Sequence, residues 1–392
     1  MSVLSYLEKL LDGVDVEWLS LGSIAVIKTG QSVNKKMISD NPGKYPVINS
    51  GRAPLGFIDT WNTDDDPIGI TTRGAGVGSI TWQDGRYFRG NLNYSVTIKK
   101  DCSIKVRYMY HLLLQMQKDI QELCTFDGIP ALNASNLKRL QIPIPCPDTP
   151  EKSLDIQSEI VRILDKFTAL TAELTAELTM RKKQYNYYRD QLLSFGESEV
   201  EWKTLGEIAA YSKSRISFDK LDKNNYVGVD NLLQNRAGKM QSNYVPTSGN
   251  LTEFREGDIL IGNIRPYLKK IWQADSTGGT NGDVLVIRSC HKSILPRYLY
   301  QILADDNFFE YNMQHAKGAK MPRGNKDAIM KYRLPIPSFE EQTRIVTILD
   351  KFDTLTNSIG ECLPREIELR QKQYEYYRDL LFSFPKPEAA SN

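Results

Sequence analysis

The chain has 392 residues, too many for one ordinary core, so two to three folded units are expected. Fifty Lys plus Arg against 48 Asp plus Glu leave a net charge of only +2, which by itself neither requires nor forbids a polyanionic partner. Five cysteines stand singly with no CxxC pair, which argues against a zinc site or a disulfide framework, and no apolar run approaches the roughly 18 residues of a membrane span.

In chain order, the amino terminus (Met1 to Leu11) lacks the basic and apolar regions of a leader, so a soluble cytoplasmic protein without membrane association is expected. The stretch from Leu10 to Trp18 resembles Leu192 to Trp202, as though the chain began with the tail of a segment met again later. Then comes a first mixed α and β region, residues 1–150, with strand-like runs at Ser23–Lys28, Ile68–Thr72 and Ser95–Lys99 bounded by turn formers. Gly74-Ala75-Gly76-Val77-Gly78 reads as a loop that needs glycine for unusual φ or close approach. A lone glycine pattern is weak evidence for a cofactor, and none is expected.

Residues 151–197 follow as a helix. Ile160, Ile163, Phe167, Leu170, Leu174, Leu178, Tyr185, Tyr188 and Leu192 recur at three- and four-residue steps and so share one face. A second mixed region, residues 198–337, has strand-like runs at Asp258–Ile261 and Val284–Arg288, and residues 338–392 form a second helix with Ile345, Ile348, Phe352, Leu355, Ile359, Leu363, Ile367, Tyr374, Tyr377 and Leu381 on its stripe. Ser338 and Glu341 suit a capping box at its start, and Ser153 stands at the corresponding place in the first helix, followed by Ile156 instead of an acid. Pro364 should kink the second helix or begin a new segment. Helices of about 40 residues, roughly 60 Å long, with a narrow apolar stripe read as a coiled-coil pair.

Self-comparison ties these four parts together. The words Glu17-Trp18 to Ile24-Ala25, Ile142-Pro143-Ile144-Pro145, Ile160 to Phe167 and Lys183 to Asp190 return as Glu201-Trp202 to Ile208-Ala209, Leu334-Pro335-Ile336-Pro337, Ile345 to Phe352 and Lys372 to Asp379. Between these anchors the halves diverge. A constant frame carrying two different inserts suggests interchangeable specificity, and the two mixed regions carry +1 and +5 while the helices carry −1 and −3.

Catalysis fails on inventory. His111, His291 and His315 lie far apart in sequence, and neither an Asn/Asp-Pro-Pro-aromatic motif nor a GxxxxGK[ST] phosphate loop is present, so no catalytic, metal or cofactor residues are assigned. Duplex DNA binding has better support. The stretch Asn312 to Arg333 carries Lys317, Lys320, Arg323, Lys326, Lys331 and Arg333 among Gly318, Pro322, Gly324 and Asn325, against the single acid Asp327. Such a loop can neutralise phosphates, and its Arg and Asn side chains suit guanine and adenine edges. A second candidate loop is Gly262 to Lys270, with Arg265, Lys269 and Lys270. Arg73 falls opposite Arg265 when Asp66 is set against Asp258, and Lys28, Lys35, Lys36, Arg52, Arg86 and Arg89 complete the basic candidates of the first region. The aromatic and basic run Arg181 to Arg189 superficially suits stacking of single strands, but its tyrosines lie on the apolar stripe and are expected to pack helices.

The repeated frame, the helix run Gln157 to Leu178 and the run Arg181 to Phe195 resemble the specificity subunits of type I restriction-modification systems, the IC subgroup in particular. The resemblance implies an α+β protein: two mixed α/β target recognition domains in tandem, separated by two long helices that form an antiparallel coiled coil. It further implies that each domain reads one half of a bipartite duplex site, with helix packing through Ile160, Phe167, Leu174, Tyr185, Tyr188, Ile345, Phe352, Ile359, Tyr374 and Tyr377. The implied partners are double-stranded DNA, two modification subunits that methylate adenine, and restriction subunits that reach this chain through the complex. Two other readings are an independent adenine methyltransferase or nuclease, which lacks its motifs here, and a coiled-coil scaffold that binds only protein.

Overall fold

A computed structural model describes residues 10, 13–51, 53–357 and 362–385. Arg52 and Ile359, named above, lie outside the described residues. The chain forms two compact units, one of residues 1–170 with 370–392, the other of residues 171–369.

In the first unit the outer frame is a ribbon of β1 (Val16–Ser20) and β11 (Gln141–Pro145), paired antiparallel so that Trp18 faces Pro143. Strands β2 (Ala25–Thr29), β5 (Ile68–Thr71), β6 (Ile80–Trp82) and β8 (Asn93–Ile98) make an antiparallel sheet in the order β2-β8-β5-β6. Beside it β3 (Pro42–Ile48) pairs with β4 (Phe57–Ile58) and, in parallel, with β7 (Phe88–Arg89). Helix α1 (Leu21–Ile24) turns β1 into β2, α2 (Lys35–Asp40) precedes β3, and α3 (Val106–Gln115) and α4 (Gln117–Glu122) bury Tyr108, Met109, Leu112, Leu113 and Ile120 against the larger sheet. A short hairpin of β9 (Cys124–Thr125) and β10 (Ala131–Leu132) and the one-turn helix α5 (Ala134–Leu137) lead back to the frame.

The second unit repeats this plan. Strands β12 (Glu201–Thr204) and β20 (Arg333–Ile336) form the frame ribbon. Strands β13 (Ala209–Tyr211), β16 (Ile259–Gly262), β17 (Ile271–Gln273) and β19 (Val284–Ser289) form the larger sheet in the order β13-β19-β16-β17. The smaller sheet is β14 (Arg215–Ser217), β15 (Asn250–Phe254) and β18 (Gly278–Thr280). Its helices are α7 (Leu205–Ile208), α8 (Pro296–Leu303), α9 (Asp306–Gln314) and α10 (Lys326–Met330). Repeated residues make repeated bonds. The Tyr108 hydroxyl donates to the Pro143 carbonyl and the Tyr298 hydroxyl to that of Pro335, both at 3.2 Å.

The long helices serve both roles, pairing with helices and completing cores. Helix α6 (Pro150–Leu192) begins at a proline, whose fixed φ and missing N–H suit a first helical position. Its start therefore precedes Ser153, which lies within the helix and gives its N–H to the Thr149 carbonyl, so Ser153 is not a cap. The second constant segment is two helices, α11 (Phe339–Asn357) and α12 (Cys362–Leu381), with Pro364 in the first turn of the latter. At the start of α11 only half of a capping box forms: the Ser338 hydroxyl accepts the Glu341 N–H, while the Glu341 carboxylate pairs with Arg344.

Ile156, Ile160 and Leu164 of α6 are buried in the first unit's core with Leu381 of α12 and Phe382 just after it, and Phe167 stacks on Tyr377. In the second unit Tyr185 is buried with Ile345 and Leu349, and Tyr185 and Tyr188 stack on Phe352. Tyr188 keeps 44% of its surface exposed despite that stack. The middle of the stripe is shallower, with Leu174 half-buried and Leu170 exposed. The segment after α12 also joins the first unit: the Trp18 indole donates to the Pro385 carbonyl at 2.9 Å, as the Trp202 indole reaches the Gly196 carbonyl at 3.5 Å.

Candidate nucleic-acid interface

The two basic loops singled out in the second half are bonded to one another. After β16 the chain leaves the sheet at Asn263, and a hairpin closed by bridge pairing of Lys317 with Arg323 comes up beside it. Ile264 bridges to Arg323, the Arg265 N–H donates to the Pro322 carbonyl at 2.7 Å, and the Gly324 N–H to the Asn263 carbonyl at 3.1 Å. Arg265 takes a left-handed φ of 53° before the turn Pro266–Leu268, and Lys269 ends that turn at 50°. Such backbone is held by its surroundings, at a cost of roughly 1–3 kcal/mol per residue. The turn presents Arg265 and Tyr267 to solvent, and the hairpin presents Lys317, Lys320, Met321 and Arg323. The Arg323 side chain reaches Asp283 at 2.6 Å, whereas the side chains of Arg265, Lys317 and Lys320 have no hydrogen-bond or ion-pair partner among the described residues.

The first unit builds the same pair of loops. Its hairpin is β9-β10, Arg73 bridges to Ala131, the Gly74 N–H donates to the Pro130 carbonyl at 2.9 Å and the Leu132 N–H to the Thr72 carbonyl at 2.8 Å. These bonds correct the alignment of the halves by one residue. Gly74, not Arg73, occupies the position of Arg265, and Arg73 occupies that of Ile264. The cause lies at the strand entry, where the Pro67 carbonyl accepts from Gln83 as the Asp258 carbonyl accepts from Ala274, so Pro67 is the counterpart of Asp258 and Asp66 is one residue outside. Gly74 has φ 90° and Gly78 has φ 76°, positive values that explain two glycines of that run.

Other candidates divide by their surroundings. Lys35 and Lys36 are exposed in the first turn of α2, which Asn34 caps through Met37 N–H, and Lys28 is exposed on β2. Arg86 is exposed, ion-paired with Asp64 at 2.9 Å and stacked over the Trp61 ring. Arg89 is withdrawn as a DNA contact. It is 3% exposed, its guanidinium donating to the carbonyls of Ile68, Tyr94 and Asp66 and to Asn93 Oδ1, and burial holds its pKa below the ordinary arginine value. Asn325 is a helix cap, its Oδ1 accepting from Asp327 and Ala328 N–H at the start of α10.

Lys269 and Lys270 are also occupied. Lys270 Nζ donates to the Val229 carbonyl, and Lys269 Nζ lies 2.7 Å from Asp306, a carboxylate it shares with Arg236. No sequence pattern marks Arg236, which is buried. Desolvation first, then the nearby Arg189, brings its pKa down to about 10. In the run Arg181 to Arg189, Tyr185 and Arg189 are buried, and Arg189 lies over the Tyr185 ring.

This geometry defines a class: a protein of two homologous α/β domains, each holding a turn and a hairpin together as one exposed, cation-bearing edge. Such an edge suits phosphates and base edges. The model of the type I restriction modification DNA specificity domain matches residues 13–180 and again 197–369, and the chain belongs to that family. Among similar proteins, the EcoR124I/EcoR124II specificity subunit of Escherichia coli is 41% identical, with both chains fully covered. A specificity subunit assigned to a type I enzyme of Haemophilus influenzae is 31% identical, covering 97% of this chain and 98% of its own. The crystal structure of a type I S subunit from M. genitalium superposes with a TM-score of 0.62 over 96% of this chain and 98% of that one, at 19% identity, which speaks for the fold. No described helix is long and apolar enough to cross a membrane.

Proposed function

We propose that this chain is the DNA-reading specificity subunit of a type I restriction-modification complex, supplying an address while its partners supply the chemistry. Residues 1–150 act as one target recognition domain and residues 198–337 as the other, each reading half of a bipartite duplex site. Residues 151–197 and 338–392 set the spacer and dock two adenine methyltransferase subunits, with the restriction subunits joining through the complex in the cytoplasm. The observation that carries this reading is the duplicated edge: the same turn and hairpin, bonded in the same register, occur in both domains with different side chains on them. The residues kept as DNA contacts are Arg73, Lys35, Lys36, Arg86, Arg265, Lys317, Lys320 and Arg323.

The test is methyl transfer from labelled S-adenosylmethionine to duplex DNA, with the purified chain alone and then with modification subunits. Transfer only in the presence of both is the expected result. Transfer by the chain alone would make it an enzyme, and absence of site-specific duplex binding in the assembled complex would make it a protein scaffold.

A further inference from the structure

The two hairpins match in length, in their paired ends and in the proline that anchors them. Thr125 pairs with Ala131 in the first and Lys317 with Arg323 in the second, so each has five residues between its paired ends. The tips read Phe126-Asp127-Gly128-Ile129-Pro130 and Gly318-Ala319-Lys320-Met321-Pro322. Their charges differ, yet a large unbranched or branched aliphatic side chain precedes the proline in both. Ile129 is 68% exposed and Met321 is 49% exposed. Gly128, third in its tip, and Gly318, first in its own, take positive φ of 92° and 98°, so each tip folds back on a glycine, though at a different place.

An exposed aliphatic residue is unremarkable once; at one position of two diverged domains it calls for a reason. Ordinary core packing does not supply it, because both side chains project from the hairpin tip. Each tip is fixed at its base, where the proline carbonyl accepts the N–H of Gly74 or Arg265, and proline restricts the residue before it to extended backbone. The side chain is thus held out from a rigid support beside a cation: Arg73 is bridged to the first hairpin, and Lys317, Lys320 and Arg323 lie on the second. Cations next to a fixed aliphatic tip suit a duplex, where phosphates flank grooves that offer thymine methyl groups and base steps to apolar side chains.

We propose that Ile129 and Met321 are equivalent apolar DNA contacts, each pressing on a base or base step of the half-site its own domain reads. The inference rests on the DNA-reading function proposed above. It differs from the basic contacts in one measurable respect, since an apolar contact neutralises no phosphate and leaves the salt dependence of binding unchanged.

The experiment uses the full chain assembled with its modification subunits and a pool of duplexes, built on the site read from methylation in cells, with each half-site randomised in turn. Ile129→Ala should lower selection of the preferred first half-site about tenfold and leave the second intact, and Met321→Ala should do the converse, with the salt slope of either variant unchanged. Ile129→Leu and Met321→Leu should recover most of the loss. Thermal unfolding of all four variants should match the parent protein, because no buried contact is removed. Unchanged selection in both alanine variants would overturn the proposal, as would weakened assembly with modification subunits at unchanged DNA selection, which would mark a protein contact. If the parent complex itself showed no half-site preference, the DNA-reading function would fail first, and the two failures are therefore distinct.

Discussion

His111 in the first unit and Gln301 in the second occupy the same place and make the same hydrogen bonds. Gln301 Oε1 accepts the Tyr185 hydroxyl at 3.1 Å and its Nε2 donates to Asp350 at 2.9 Å, while His111 Nδ1 lies 2.9 Å from the Tyr374 hydroxyl and Nε2 lies 2.8 Å from Asp165. Arg107 holds Asp165 as Arg297 holds Asp350, each at 2.8 Å. The match assigns the histidine tautomer: neutral, with the proton on Nε2, a ring doing the work of an amide.

A neutral buried histidine makes the first unit sensitive to acid. Burial, with Arg107 and Arg378 nearby, pulls the His111 pKa down against the opposing attraction of Asp165, and Tyr374 and Tyr110 also face the ring. Because the folded pKa lies below the unfolded value of about 6.5, the unfolded state binds the extra proton first, so stability is full above that pH and is lost as pH falls below it. His111→Gln should therefore change stability at pH 8 by less than about 1 kcal/mol and flatten its fall between about pH 7 and 5, as measured by urea unfolding. His111→Leu should cost about 1–3 kcal/mol, since it leaves the Tyr374 hydroxyl without its acceptor while Asp165 keeps Arg107. A steeper acid loss in the glutamine variant would contradict the assignment.

Within the basic edge, Arg265 and Arg323 separate by environment. The Arg265 guanidinium has no hydrogen-bond or ion-pair partner among the described residues, so Arg265→Ala should weaken binding by about 1–3 kcal/mol and relax the second half-site if it reads a base edge. Arg323 must share or leave Asp283, and Arg323→Ala should cost less. Quantitative binding of the assembled complex over a series of salt concentrations checks both; unaltered affinity and slope would remove them from the interface.

The helix α6 carries Thr171-Ala172-Glu173-Leu174 followed by Thr175-Ala176-Glu177-Leu178, with the Thr175 hydroxyl donating to the Thr171 carbonyl and that of Thr179 to Thr175. One further Thr-Ala-Glu-Leu unit keeps the stripe nearly in phase and lengthens the helix by roughly 6 Å, comparable to one or two base-pair steps. The spacer of the recognised site should grow while both half-sites persist, whereas a two-residue insertion rotates the stripe by about 200° and should abolish assembly. The methylated sequence in cells carrying each variant reads the outcome directly.

The duplication was legible because both frames keep the same words, and Trp18, Tyr108, Gln157 and Asp165 make bonds that Trp202, Tyr298, Gln342 and Asp350 repeat. Sequence located the second domain's two basic loops but not that they are one hydrogen-bonded edge, because that pairing is long-range. The register slip at Arg73 came from anchoring on an aspartate when the strand entry is at Pro67. The roles of Arg89 and Asn325 are not legible in sequence, because an arginine on a strand and an asparagine in a loop carry no local sign of burial or capping. The Pro130 and Pro322 match could have revealed the common hairpin.

Replacing residues 20–145 with the matching region of a relative and sequencing the methylated sites in cells shows whether one domain reads one half-site. The expected product is a new first half-site joined to the original second half-site at the original spacing. Both half-sites changing together, or neither changing while the complex still methylates, would contradict it.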